Sequence, residues 1–444
     1  MVCAFLGSIG GHGLVSDTVA MFVVLLGFAA TVAILTKFIR VPYTIALVVA
    51  GLAVALIGED LVEGVKITEE LVLVLFLPPL LFQAGLHIDL EHLQRKAIPV
   101  VTLAVPGVIV GMVVVGLAIR PFLPGGVIAS CGVWLPALLF GAMLAPTDPI
   151  SVLATFKRAK APPLLRTLVE GESLFNDGTG VVLFLILLGA LRAVAGGAEA
   201  SLTVAGGVVE FVRVAGLGVV VGLGLGLIAF WLLRQLDDHV LENAITVVLV
   251  WGTFITAETI GASGVIAVVV AGLIMGNYGS RLAMSKRTRE TIHTFWESID
   301  FIVNSIVFLL IGIELQVIEG GPVNLLDPTV LAAIGTVYLA SLAARGLMVY
   351  PLAFLYGRHW PSGWKHVVLW AGLKGSIPLA LVLGLPVMVL GQQVEALKSL
   401  REFLVPVVFG VVLVSLLLQG LTIPALVGAV DVGEMDADAT EQPD

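Results

Sequence analysis

Apolar runs of around 20 residues recur along the whole chain, and a run of that length is what an α-helix needs to cross a hydrocarbon layer of about 30 Å. In lipid an unpaired backbone group costs several kcal/mol, so each run has to close its hydrogen bonds within itself as a helix. Thirteen candidate spans can be drawn, at roughly 18–36, 42–57, 69–86, 98–119, 133–156, 164–191, 205–233, 240–258, 261–278, 293–315, 329–355, 364–392 and 403–429. A soluble domain could not cover a composition that is 59% hydrophobic and 12% charged. The expected fold class is an all-α polytopic membrane protein of 13 transmembrane helices.

Loop charge orients the spans. The loops after odd-numbered spans hold Lys37 and Arg40, Arg95 and Lys96, Lys157, Arg158, Lys160 and Arg166, Arg234, Arg281, Lys286, Arg287 and Arg289, then Arg358 and Lys365. The alternate loops hold only Lys66, Arg120, Arg192, Lys398 and Arg401. The positive-inside rule then places the N-terminus outside and the C-terminus in the cytoplasm of a multi-pass protein of the cell (inner) membrane. The formal charge of −9 says little about partners, because six acids fall in the last fourteen residues, "DVGEMDADATEQPD". Residues 1–430 read as one transmembrane domain and 431–444 as a short acidic cytoplasmic tail. No removable signal peptide is expected. Cys3 and Cys131 have no His or Cys at ligand spacing and read as packing residues. With no Gly-rich Walker loop, ATP is not expected to drive the protein, and no cofactor and no nucleic acid are expected.

Two spans are interrupted. In "LAPTDPIS" Pro146 and Pro149 remove the helical donors of the Ala142 and Ala145 carbonyls, and each proline pushes its predecessor out of helical angles. The helix should unwind around Thr147 and Asp148. In "AGLKGSIPLALVLGLP" Gly372, Gly375 and Pro378 surround Lys374. With 205–233 as a linker helix, residues 18–191 and 240–429 form two six-helix halves, and the interruptions fall in the fifth helix of each, spans 5 and 12. Halves of this kind are expected to be inverted repeats whose broken helices cross at the midplane, where a transporter holds its cargo.

In "GESLFNDGTGVVLFLILLGA" span 6 carries Asp177 about 13 residues from its start, near 20 Å into the bilayer at 1.5 Å per residue. Offsets of 0, 3 and 7 put Glu170, Ser173 and Asp177 on one stripe, with Glu172 and Asn176 on a neighbouring face. A carboxylate at that depth is a functional residue by default.

These segments, with "FLPPLLFQAGLHIDL", "FWESIDFIVNSIVFLLIGIEL", "AARGLMVYPL" and "WAGLKGSIPLAL", resemble the monovalent cation:proton antiporters of the NhaP/NHE type over residues 40–425. The resemblance implies exchange of Na⁺, and of Li⁺, for H⁺, a thirteen-helix inverted-repeat fold and a homodimer. It implies that Asp177 binds the ion and carries the proton, with Asp148 as acidic partner, Thr147 and Ser173 as oxygen ligands and Na⁺ held among the four. Asn176 matches the asparagine of electroneutral exchangers, and Glu172 with Arg345 a structural ion pair between spans 6 and 11. Gln83 stands where relatives have a glutamate, so an amide oxygen replaces a charged ligand. Lys374 stands where an arginine is usual, and its expected task is to neutralise the negative ends of the half-helices.

The implied mechanism is competition: one buried acidic site holds a proton or an alkali ion, and rocks between faces only when occupied. The runner-up is a K⁺/H⁺ antiporter. A cation channel lacks its carbonyl filter or charged rings, and an intramembrane hydrolase lacks a nucleophile with a base. Glu297, Asp300 and Asn304 share one face of span 10 at offsets 0, 3 and 7 and are expected to bond structurally, with an entrance funnel as the alternative. Glu258 reads as an interfacial acid, Arg213 as a partner of Glu210 or a snorkelling side chain, and His87 and His92 as solvated loop histidines.

Overall fold

The computed structural model describes residues 14–36, 38, 43–57, 71–148, 152–153, 155–156, 161–196, 203–236, 238–317, 327–356, 360–389 and 392–430. The acidic tail, Cys3, Pro149, Lys37, Arg40, Lys66, Lys157, Arg158, Lys160 and Arg358 lie outside the described residues. Among the described residues the regular structure is all helical apart from a two-residue hairpin that pairs Met388–Val389 with Gln392–Gln393.

The first half contains α1 (Leu14–Thr36), α2 (Tyr43–Ile57), α3 (Leu77–His87), α4 (Leu90–Arg95), α5 (Ala97–Ala104), α6 (Pro106–Ile119), α7 (Gly125–Cys131), α8 (Trp134–Met143) and α9 (Pro163–Ala195). After α10 (Val204–Leu233) come α11 (His239–Thr259), α12 (Gly264–Ile274), α13 (Lys286–Val317), α14 (Pro328–Tyr356), α15 (Trp364–Trp370), α16 (Ser376–Leu383), α17 (Glu395–Ser415) and α18 (Leu421–Ala429). Wider π turns lead into α3 (Leu71–Phe76) and join α17 to α18 (Leu416–Gly420). Side chains cap three helix N-termini: Thr203 accepts from Gly206 N–H, Asp238 from Val240 N–H and Ser263 from Ile266 N–H.

Among the described residues seven helices are long and apolar enough to cross a membrane. The number is eight if α7 and α8, bent by 108°, are taken together. The other apolar stretches are shorter, such as Gly264–Ser280, or broken. Some boundaries differ from the sequence expectation for a physical reason. Apolarity marks only the part of a helix in hydrocarbon, whereas α13 begins seven residues early through the polar turns "KRTRETI". The short α7 was expected as loop.

Helix α2 packs along α13, α3 along α12, and α6 against both α8 and α14. Phe82, Phe140, Phe156, Phe184, Trp296 and Trp364 are fully buried among these elements. Outside, α10 presents Val208, Val209, Val212, Val220, Leu227, Ile228 and Trp231 bare. An apolar face that continuous belongs against lipid. The molecule is a multi-pass membrane protein, and Cys131 is buried.

Candidate ion-binding site

Helix α8 stops at Met143, and Ala145–Asp148 run on without helical structure. Pro146 cannot donate, so the chain leaves its helical path with carbonyls facing inward. Side chains take them up. Lys374 Nζ lies 3.3 Å from the Ala145 carbonyl and 3.5 Å from that of Pro146. The Lys374 amine thus caps the negative end of α8, where the helix dipole favours positive charge.

The long α9 straps the other side of the break. Asn176 Oδ1 accepts from Thr147 N–H at 3.2 Å, and its Nδ2 donates to Thr147 Oγ1 at 2.7 Å and to Glu172 Oε1 at 3.4 Å. Ser173 Oγ donates to the Thr147 carbonyl. One turn of α9 therefore fixes both the main chain and the hydroxyl of Thr147.

The second break, Ala371–Gly375 between α15 and α16, is held by its neighbours. Lys374 N–H donates to Ser415 Oγ at 3.0 Å, Ser415 donates to Gln419 Oε1 at 2.7 Å, and Gln419 Nε2 donates to the Trp370 carbonyl at 3.1 Å. The two breaks meet in the main chain, where Asp148 N–H donates to the Leu373 carbonyl at 2.8 Å. At Gly375 the approach is so close that a Cβ would lie 2.7 Å from Asp148 Oδ2. At Gly372 it would lie 2.8 Å from the Arg345 guanidinium carbon. Ser376 then opens α16, and Pro378 falls in its first turn, where no intrahelical donor is needed.

Arg345 on α14 holds Glu172 with two parallel bonds of 2.6 and 2.7 Å, while its Nε donates to the Val368 carbonyl at 2.9 Å. Their side chains are 13% and 3% exposed, so this bidentate pair joins α9, α14 and the end of α15 inside the protein.

Beside the crossing lies a cavity of about 310 Å³. Asp177, Asp148, Ser173, Thr147 and Gln83 all line it, together with Glu170, Glu297, Asp300 and Asn304. Asn176, Glu172, Arg345 and Lys374 line a separate crevice of about 50 Å³, which shares Thr147 with the first. Five of the nine expected residues thus face one space, and the other four brace it from behind. Asp177 is buried, and its Oδ1 has no hydrogen-bond partner among the described residues. A buried oxygen left so is costly unless a proton, a cation or water meets it. The carboxylate, hydroxyl and amide oxygens among its lining residues suit a hard cation.

The stripe of Glu170, Ser173 and Asp177 faces the cavity as its spacing implied. Glu297, Asp300 and Asn304 also face it, and two of them bond as well: Asn304 Nδ2 donates to Asp300 Oδ1 at 2.9 Å and Ser376 Oγ to Asn304 Oδ1 at 2.6 Å. Arg213 pairs with Glu210 at 2.6 Å, and Glu258 accepts from Gly264 N–H at 3.0 Å. His92 lies 3.5 Å from Asp89. The sequence reading passed over Ser376, Ser415, Gln419 and His293. The signal for Ser415 and Gln419 was present: two polar residues four apart in an apolar helix share one face.

The profile of the family described as "Sodium/hydrogen exchanger, transmembrane" matches residues 24–429. The chain belongs to that family. Its members are transporters, not enzymes. Among the relatives of this exchanger, the Na(+)/H(+) antiporter ApNhaP of Aphanothece halophytica is 38% identical over 429 residues, covering 94% of this chain and 76% of its own. The Na(+)/H(+) antiporter NhaP of Pseudomonas aeruginosa is 39% identical over 416 residues, covering 90% and 93%. The solved structure of the sodium proton antiporter MjNhaP1 from Methanocaldococcus jannaschii superposes with a TM-score of 0.74, covering 95% of this exchanger and all of that chain. At 20% identity that likeness speaks for the fold alone.

Proposed function

We propose that this exchanger moves Na⁺, and Li⁺, against H⁺ across the cell (inner) membrane, by alternating access to the site at the crossing of its two broken helices. The observation that carries the reading is the buried, partnerless Oδ1 of Asp177 in a cavity that it shares with Asp148. Its relatives, named as Na(+)/H(+) antiporters, support sodium as the cargo. Na⁺ binds Asp177 and Asp148 with the oxygens of Ser173, Thr147 and Gln83, and a proton on the carboxylate pair replaces it. Glu172 with Arg345, Lys374 and Asn176 hold the breaks in place. Asn176 is neutral and spends its amide on Thr147 and Glu172, so one proton balances one cation and exchange is electroneutral.

The thirteen-helix, inverted-repeat architecture belongs to the same proposal, with repeats over 18–191 and 240–429 about the linker α10. Packing supports it. If an element of one half corresponds to the element seven spans later, the α2–α13 contact maps onto the α3–α12 contact, and both are prominent. The meeting of the two breaks maps onto itself. The cavity is flanked by His87 and Glu297, side chains 37% and 63% exposed, on the side that loop charge assigns to the cytoplasm. This conformation reads as inward-facing, and an N-terminus outside, a C-terminus inside and a homodimer as the working unit belong to the same proposal.

The test is proton flux in proteoliposomes with Na⁺, Li⁺ and K⁺ added separately and Asp177→Asn as control. Na⁺ and Li⁺ should drive flux that the variant lacks. Flux with K⁺ alone would replace the sodium reading by the potassium one, and Na⁺-driven flux in the variant would end it.

A further inference from the structure

Two imidazoles meet at the cavity mouth. His87 ends α3 and His293 stands at the start of the third turn of α13, and His87 Nε2 lies 3.3 Å from His293 Nδ1 with the rings edge to face. Glu297, one turn beyond His293, has Oε1 3.6 Å from the same Nε2. The transport mechanism uses none of these groups. We propose that His87 and His293 form a binding site for a divalent transition-metal ion such as Zn²⁺, which bridges α3 and α13 and blocks exchange when occupied.

The geometry carries the inference. A tetrahedral Zn²⁺ holds imidazole nitrogens at about 2.0–2.1 Å, which sets two of them about 3.3–3.4 Å apart. The observed separation is 3.3 Å, a ring-to-ring hydrogen bond whose proton the ion would replace. His87 is also prepared in the way metal-binding histidines are: its Nδ1 is 2.9 Å from the Gln83 carbonyl, which fixes the ring and leaves Nε2 as the basic nitrogen. His293 and Glu297 are four apart and share one face of α13. Among the described residues no group of three or more His, Cys, Asp or Glu side chains stands ready to cage an ion. The site is accordingly a two-imidazole bridge. Its remaining positions go to water and to Glu297, whose exposed side chain is free to swing in. Arg289, the cation one turn before His293, is engaged with the Ser280 carbonyl. Imidazole favours Zn²⁺, Cu²⁺ and Ni²⁺ over Na⁺, which prefers oxygen, so cargo and blocker do not compete for ligands.

The helices joined by such a bridge come from the two halves of the molecule and both line the cavity. Blocking rests on the alternating-access reading above; binding does not. The experiment therefore measures both, on tag-free purified protein. Calorimetric titration with Zn²⁺ should give one site per chain. His87→Ala and His293→Ala should each weaken it at least about tenfold, the loss that even outer-shell partners produce. Glu297→Gln should weaken it less, and His239→Ala and His366→Ala should not alter it. Cu²⁺ bound to the unmodified protein should show two imidazole nitrogens by electron paramagnetic resonance, a readout that needs no variant to fold. Zn²⁺ should slow Na⁺-driven flux and a chelator should restore it. No binding in the wild type, binding kept in the double variant, or loss on removing His239 or His366 overturns the site. A filled site with undiminished flux overturns the block, whereas absent flux in metal-free wild type overturns the transport reading instead.

Discussion

Asp148 and Leu373 are joined through their main chains, N–H to carbonyl at 2.8 Å, and this bond ties the unwound part of one half to that of the other. A carboxylate of the cavity thus hangs on a backbone position that both halves determine.

Asp177→Asn should reduce Na⁺-driven proton flux to that of empty liposomes. It should also leave the melting temperature in detergent equal or higher. A neutral isostere removes a charge that the interior disfavours, so a fall in stability together with lost flux would point to a structural role for Asp177.

Arg345→Ala strands the Glu172 carboxylate, whose side chain is 3% exposed. Breaking one side of a buried pair costs about 3–5 kcal/mol, whereas replacing both sides by apolar groups is close to neutral. Chemical denaturation should therefore show Arg345→Ala strongly destabilised and the double variant Glu172→Leu/Arg345→Met largely recovered.

Asn176→Asp adds a carboxylate beside Thr147 and Glu172. Flux through the wild type should not respond to an imposed membrane potential. In the variant one further charge moving through 100 mV is worth about 2.3 kcal/mol, up to roughly a fiftyfold effect on rate. Flux measured at potentials clamped with valinomycin separates the two. A potential-sensitive wild type would count against electroneutral exchange.

Ser415→Ala and Gln419→Leu each strip a partner from the second break, leaving Lys374 N–H or the Trp370 carbonyl unpaired. Such an orphan costs about 1–3 kcal/mol. Both variants should lose stability and show a raised KM for Na⁺, measured by flux at graded concentrations. Gln419→Glu, which keeps an acceptor for Ser415, should be milder on the Lys374 side.

Asp327 caps α14 by accepting from Thr329 N–H at 2.7 Å, and that bond holds its carboxyl below the usual carboxylate range. The unfolded chain binds this proton more readily, so the charged cap stabilises above pH ~4 and its contribution disappears as pH falls through the lower folded value. The melting temperature of Asp327→Ala should lie below wild type at neutral pH and converge with it in acid. Asp327→Asn keeps the cap without the charge and should show no such convergence.

Proline and glycine made both breaks legible, because each acts locally: Pro146 deletes a donor and Gly375 leaves room, wherever the rest of the chain goes. The stripe from Glu170 to Asp177 was legible for a similar reason, since helical spacing alone aligns it. What closes the breaks was not. Gln419 reaches Trp370 across 49 positions and His293 reaches His87 across 206, and nothing local marks either partner. The drawing of thirteen spans met a different obstacle. Short or interrupted helices such as α3, α12 and α16 survive in the membrane by leaning on neighbours, so length and apolarity stop being guides where the function is.

The size of the cavity beside Asp177 has an energetic consequence of its own. At about 310 Å³ it admits several water molecules at once. An arriving alkali ion can keep most of its hydration shell until it reaches the crossing, and there exchange water for carboxylate, hydroxyl and amide oxygens one at a time. Under the proposed transport, dehydration would thereby be spread over many small steps instead of one large one.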